Sequence, residues 1–421
     1  MTAFMLSFMV GGFALGVPIV VSVGLATLLT MILFTGLPTQ VFAQQLFVAL
    51  HKYPLVAVPL FIFAGALMET GGISTRLVEF AKAVFRGVRG GLAASCVLTC
   101  MIFAAVSGSS VATTFAVGSI MIPALVRNGY SRPFASSLQA AAAELGVIIP
   151  PSIPLILYAV SAEVSIGDLF IAGIGPGILI GAALIVTVLV YSRIKGGDIG
   201  IAQNVQPLAM ATQRAFFSLL MPVVVLGGIY GGIFTPTEAA AVAVVYAALV
   251  GFFIHGDLKL ADIIPVARRS LISTANILMI IAVAGAFSYL ISRAGVPASL
   301  GRWISENISG ATVFLLTVNL ALFILGMFLE TSASIIILTP ILVPVAVHYG
   351  IDPIHFGLIM VVNLALGMIT PPFGVNLFAA CDVGKVSIEQ VMPSLLMFVL
   401  VVVACLMLIT FIPQISLFAV G

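Results

Sequence analysis

Charge is what this sequence has least of. Only 7% of its 421 residues are Asp, Glu, Lys or Arg, while 62% are hydrophobic. A soluble domain carries about 25% charged residues, so no water-facing surface can be built over this much apolar side chain. The solvent for most of the chain must be lipid. Apolar runs of roughly 20 residues, each enough to cross a bilayer as a helix, recur along its length. The strict apolar–polar alternation of an outer-membrane barrel is missing. The chain therefore reads as an all-α polytopic membrane protein.

Other absences narrow the chemistry. The four histidines, His51, His255, His348 and His355, fall near membrane ends, away from the serine-rich stretch at Ser107–Ser110, and there is no HExxH helix. Neither a serine-protease arrangement nor a zincin site is supported, and the chain is not expected to be an enzyme. There is no GxxxxGK[ST] loop, so no nucleotide site and no ATPase partner are expected. Cys96, Cys100, Cys381 and Cys405 lack metal or CxxC spacing. A formal net charge of +2 gives no footing for nucleic acid. No cofactor is expected. Met1 to Phe34 is apolar with no basic start and no clear cleavage site, so a retained membrane segment is expected, not a signal peptide.

The few basic residues orient the chain. The threading takes 3–34 outward, turns at Thr35–Gln40, returns over 44–68 with kinks around Pro54 and Pro59, and leaves 69–90 as a cytoplasmic loop. Residues 91–126 go in and come back, 134–160 cross outward and 169–191 return, followed by a connector at 192–214. Residues 215–233, 237–254 and 271–291 cross in turn, 310–347 go in and come back, 356–380 cross inward and 391–413 cross out. Thirteen of the 16 Lys/Arg then face the cytoplasm, and only Lys52, Arg293 and Arg302 face outward. The positive-inside rule asks for that asymmetry. It implies a cytoplasmic N-terminus and a periplasmic C-terminus.

Two of these segments are too short for what they must do. In 91–126 each arm is about 23 Å long at 1.5 Å per residue, short of a ~30 Å hydrocarbon core. The tip Ser107-Gly108-Ser109-Ser110 would then sit at membrane depth. Residues 310–347, around Leu329–Ser334, have the same form. Irregular backbone at that depth is tolerated only where protein buries it or a wet cavity meets it. The plainer alternative is two thin-membrane helices joined by a polar turn.

The two halves match at an offset of 221: Ile120–Leu125 with Ile341–Ala346, Gly129 with Gly350, Leu145–Pro151 with Leu366–Pro372. Over 107–151 against 328–372, ten of 45 positions are identical without a gap. One hairpin opens to the cytoplasm and the other outward, which makes an inverted repeat. Interrupted hydrophobic segments at matched positions of such halves point to a transporter's binding site.

The candidate residues follow. At the tips they are Ser107, Gly108, Ser109, Ser110 and Thr113, and Glu330, Thr331 and Ser332. At the proline breaks they are Pro150, Pro151 and Ser152, and Thr370, Pro371, Pro372 and Asn376. A double proline frees carbonyls one turn earlier. Those carbonyls and the hydroxyls suit a desolvated Na⁺, and the helix N-termini after the tips suit a carboxylate. Each piece also has a plain reading: small residues let helices approach, and prolines kink them. Glu330 reads as a site residue or a cap. Glu144 has a buried partner or a site role, and Asn363 and Asn376 are ligands or interhelical hydrogen bonds. Thr235-Pro-Thr-Glu238 reads as a capping box.

With Gly227–Ala243, GGIYGGIFTPTEAAAVA, added to the tips, the breaks and the repeat, the chain resembles the large membrane (M, DctM-type) subunit of the tripartite ATP-independent periplasmic (TRAP) transporters. The resemblance implies an inverted-repeat, elevator-type importer of the bacterial inner membrane. It would be coupled to Na⁺ and carry small organic acids of the C4-dicarboxylate or sialic acid type. The fold implied has two re-entrant helical hairpins and two broken transmembrane helices, with the sites around them. Residues 1–90 and 192–291 would be scaffold and connector, and 91–191 and 310–413 the two sets of transport elements. Two partners are implied, a small four-helix membrane subunit and a soluble periplasmic binding protein. The small subunit is expected as a separate chain. The rival is a stand-alone Na⁺/carboxylate symporter or antiporter of related fold that needs no binding protein.

Overall fold

A computed structural model describes residues 1–195, 206–296, 299, 302 and 310–420. All regular elements among these residues are helical. Among the described residues eight helices are long and apolar enough to cross a membrane, or nine if the bent pair Arg132–Ile148 and Ile153–Ala162 is counted as one span. Residues 196–205 of the expected connector lie outside the described residues.

Helix starts follow the local chemistry. Ser131 Oγ accepts from Phe134 N, and Asp352 Oδ1 accepts from Ile354 N at 2.8 Å, each with proline in the first turn. The capping box is present: Thr235 N donates to Glu238 Oε2 at 2.8 Å, and Glu238 N donates to Thr235 Oγ1 at 3.3 Å. Glu238→Ala is expected to lower thermal stability in detergent slightly and to leave transport intact. Lost transport at unchanged stability would give Glu238 a different role.

The structure corrects two expectations. Residues 3–34 are not one outward crossing. Thr2–Ala14 and Ile19–Phe34 fold back on each other through a turn at Gly16 (φ +73°), and the Phe4 and Phe34 rings lie 5.2 Å apart. Met1 and the Thr35–Gln40 turn therefore sit at the same end of the molecule, not on opposite faces. The run is long enough to span, but Pro18 cannot donate and Gly16 takes the left-handed conformation, so the helix stops halfway. Residues 69–90 are not a plain loop either. Ile73–Val84 is an amphipathic helix that buries Ile73, Leu77, Val78 and Ala81 and turns Arg76, Glu79 and Lys82 the other way.

Each repeat has three parts. The first is a hairpin, Gly91–Ser107 and Ser110–Arg127, then the broken crossing, then the long helix Ile166–Lys195. The second is a hairpin, Ala311–Gly326 and Thr331–His348, then Pro353–Met368 and Val375–Gly384, then Ile388–Phe411. The Pro150–Pro151 and Pro371–Pro372 bonds are both cis. Hairpin arms of 16 to 18 residues reach about 24–27 Å.

Two long-range bonds show the inversion. Arg132, at the base of the first hairpin, donates to Gly384 O (3.4 Å) at the end of the second broken crossing. Tyr158, near the end of the first crossing, donates to Pro353 O (2.5 Å) at the start of the second. The two crossings are therefore antiparallel, and the hairpins open to opposite ends. The halves also interlock. Ser110–Arg127 packs on Val375–Gly384, and Thr331–His348 packs on Ile153–Ala162.

The remaining helices frame this core. Leu260–Arg293, 34 residues long and so about 51 Å, runs along Ile19–Phe34, Thr39–Leu50 and Ala57–Thr70. Gly24 meets Val283 and Gly285 meets Ala49. Such small residues let membrane helices pack at short range where lipid supplies no hydrophobic drive.

Candidate functional site

The first tip and the first break are one unit. The chain leaves Gly91–Ser107 through Gly108 (φ +61°), a conformation that glycine adopts without strain. A Cβ there would lie 2.9 Å from Pro151 O, and Gly108 O accepts from Ile153 N. Three oxygens converge at this tip. Ser107 Oγ is 3.0 Å from Thr113 Oγ1, Thr113 Oγ1 donates to Ser109 O at 2.8 Å, and Ser107 Oγ donates to Ser109 O at 3.4 Å. Ser107, Ser110 and Thr113 are buried. Gly146 allows the closeness: a Cβ on it would stand 2.7 Å from Ser109 O and 2.8 Å from Thr113 Oγ1. One expectation changes in detail. Pro151 frees the carbonyl of Val147, but the Ser152 hydroxyl donates to it at 2.6 Å, so that carbonyl is already satisfied.

The second tip is built differently. Its turn is the apolar Met327–Leu329, and Glu330 is the N-cap of the inner arm. Glu330 Oε2 accepts from Ala333 N at 3.1 Å, and Oε1 accepts from Ser332 Oγ at 2.9 Å. The cap sits at the same repeat position as Ser109, which caps Ser110–Arg127 through Ala112 N. Thr331 Oγ1 donates to Met368 Sδ, and Phe373 N donates to Met327 O, so this tip also closes on its own break. Thr370 Oγ1 donates to Leu366 O, Thr370 and Pro371 are half-buried, and Pro372 is exposed.

Asn376 does not face the second tip. It reaches across the repeat interface, where its amide donates to Glu144 Oε1 at 2.7 Å and to Ala140 O at 3.1 Å. Its oxygen accepts from Thr114 Oγ1. Glu144 and Asn376 are thus partners, buried among helices of both halves. Asn363 also has an interhelical role, donating to Asn319 Oδ1 at 2.6 Å, and Asn319 in turn donates to Thr410 Oγ1. Thr114 and Asn319 were not singled out from sequence. Asn319 had a readable signal, as the one amide in the apolar Ala311–Gly326 helix.

A cavity of about 360 Å³ lies where the first tip meets the framing helices. Ser107, Ser109 and Ile153 of the repeat and Gly65 and Ser270 of the framing helices line it. A Cβ on Gly65 would lie 3.3 Å from Ser107 Cα, so a larger residue would press on the tip. The Arg269–Glu69 ion pair, Nη2 to Oε2 at 2.8 Å, lines the same cavity. Residues of the second tip and second break do not line it.

A family model for the DctM component of the tripartite ATP-independent periplasmic transporter matches residues 6–415. The chain is 41% identical over 408 residues to the isethionate TRAP transporter permease protein DctMQ of Oleidesulfovibrio alaskensis, covering 96% of this chain and 64% of that protein, under two thirds of its length. It is 42% identical over 396 residues to the C4-dicarboxylate TRAP transporter large permease protein DctM of Pseudomonas aeruginosa, covering 94% of this chain and 93% of that one. Among solved structures, the YdaH transporter of Alcanivorax borkumensis has a similar fold, with a TM-score of 0.65 at 15% identity over 90% of both chains.

Fold and site together define an all-helical, inverted-repeat membrane permease. The chain belongs to the DctM family, the large permease component of TRAP transporters.

Proposed function

We propose that this permease imports small organic acids, of the C4-dicarboxylate, sulfonate or sialic acid type, across the bacterial inner membrane by Na⁺-coupled alternating access. The observation that carries the reading is the paired architecture: two hairpin tips, each closed on a proline break, in opposite orientations. The oxygen triangle of Ser107, Ser109 and Thr113 has the neutral hard donors that a Na⁺ stripped of water prefers. The two repeats would move as an elevator against the framing helices of 1–90 and 206–296. A soluble binding protein would deliver the solute, and a small four-helix membrane subunit would complete the permease. The C4-dicarboxylate and isethionate named for the relatives are anions, which supports the substrate class.

Energetics favour at least two Na⁺ per solute. One charge crossing 100 mV gains roughly 2.3 kcal/mol, and a tenfold Na⁺ gradient adds about 1.4 kcal/mol per ion. A monoanion with two Na⁺ enters as net +1 and is drawn inward, whereas a dianion with two is neutral and gains nothing from the voltage. In proteoliposomes, uptake is expected to require both a Na⁺ gradient and the binding protein. Uptake indifferent to Na⁺ refutes the coupling. Robust uptake without the binding protein favours a stand-alone symporter.

A further inference from the structure

We infer that Arg269, with the buried hydroxyl of Ser270, forms an anion subsite on the framing helix, where a carboxylate or sulfonate takes the place of Glu69. The inference rests on the proposed transport of organic anions and adds to it a specific residue outside the repeats.

Four observations carry it. First, among the described residues Arg269 is the one cation lining the cavity beside the first tip, and Glu69 the one anion. Second, the pair is poorly protected: the Arg269 side chain is 57% exposed and that of Glu69 28%. An ion pair in such a setting is held weakly against solvent and competing ions. The planar guanidinium has five donors, and only Nη2 is engaged by a side chain. Third, Ser270 is 4% exposed, lines the cavity, and its Oγ has no hydrogen-bond partner. A serine or threonine inside a helix can bond the carbonyl four residues back, as Thr27 does to Val23 O. An orphan buried hydroxyl is costly, and a ligand oxygen removes the cost. Fourth, the spacing suits a small solute. Glu69 is one helical turn from Gly65, where the framing helix touches Ser107. On the facing helix, Ser273 and Ile277, which also line the cavity, stand one and two turns from Arg269, about 6 and 12 Å along the axis. The axial rise from Glu69 to Gly65 is about 6 Å, on the scale of a two- to four-carbon anion.

The arrangement gives the framing helix a chemical part in transport. A solute held at the tip meets Arg269 only when the first tip stands beside this stretch of the helix, as it does here. Glu69 occupies the guanidinium otherwise, so the subsite takes an anion by exchange and leaves no bare cation behind.

The test is direct binding of succinate and of isethionate to the full-length chain in nanodiscs, in Na⁺ buffer, with neutral succinamide as control. Arg269→Gln is expected to weaken both anions by about tenfold or more, as loss of a charge-assisted bond requires. Glu69→Gln is expected to tighten them by about fivefold, because the competitor is gone. Opposite signs at the two ends of one ion pair are the signature, since a purely structural pair weakens alike from either end. Equal weakening by both variants, unchanged affinity in Arg269→Gln, or no saturable binding of either anion by the wild type overturns the subsite. If Arg269→Gln does not fold, Glu69→Gln decides alone: tighter binding supports the subsite, and unchanged or weaker binding overturns it. Na⁺-driven, binding-protein-dependent uptake alongside a silent Arg269→Gln removes this subsite only. Opposite signs without Na⁺ dependence of uptake remove the coupling and keep the subsite.

Discussion

Asn376→Leu is expected to lower stability by about 3 kcal/mol or more, far beyond an ordinary surface change. Asn376 bonds three partners on the first repeat at once: Glu144 Oε1, Ala140 O and Thr114 Oγ1. Leucine fills a similar volume but leaves the Glu144 carboxyl and the Thr114 hydroxyl buried without their partner. Each stranded polar group costs about 1–3 kcal/mol, and more where charge is involved. Glu144 has no slack, because its Oε2 already lacks a partner. The double variant Asn376→Leu with Glu144→Leu is expected to recover the part of the loss that comes from the stranded carboxyl, leaving the part that comes from the Thr114 hydroxyl. All four cysteines are buried and free, so a thiol-reactive dye reports unfolding without any added label. Simple additivity of the two single substitutions sinks the account.

Gly146→Ala is the second large effect, this time on transport. One methyl group would stand 2.7 Å from Ser109 O and 2.8 Å from Thr113 Oγ1, inside normal contact distance to two members of the oxygen triangle. The Ser109 carbonyl belongs to the tip backbone and cannot turn aside as a flexible side chain would. The tip must shift or the broken crossing must open. Misplacement of about 1 Å in a binding constellation costs on the order of a hundredfold in rate. Uptake is expected to fall by about that factor while the protein remains in the membrane. Gly11→Ala is the matched control, since nothing lies within 4 Å of a Cβ there, and its uptake is expected to stay near wild type. Near-normal transport by Gly146→Ala removes the triangle from the mechanism.

Much of this architecture is legible in the sequence. The length deficit of 91–126 and 310–347 announced the hairpins, and they are there as Gly91–Ser107 with Ser110–Arg127 and Ala311–Gly326 with Thr331–His348. The double prolines marked both breaks, and Thr235–Glu238 marked its own cap. The N-terminal run was misread for a reason that hydropathy cannot mend: a 32-residue apolar stretch looks alike whether it crosses once or doubles back. Arg269 stood in the sequence only as a marker of the cytoplasmic side. Nothing local links it to Glu69, 200 positions away.

What the sequence determined by itself was everything that depends on one helix at a time. Its lack of charge chose lipid as solvent, its prolines and glycines chose where helices stop, and its matched breaks declared two halves of opposite sense. Those signals are local, because backbone hydrogen bonds inside a bilayer must be satisfied within each segment. Partnership was decided only in the tertiary structure. That Asn376 serves Glu144 across the repeat interface and that Arg269 shares a cavity with Ser107 are both consequences of packing between distant segments. In a chain whose surface and interior are both apolar, composition marks no inward face, so contact between helices is settled by shape and by the few polar groups that find each other.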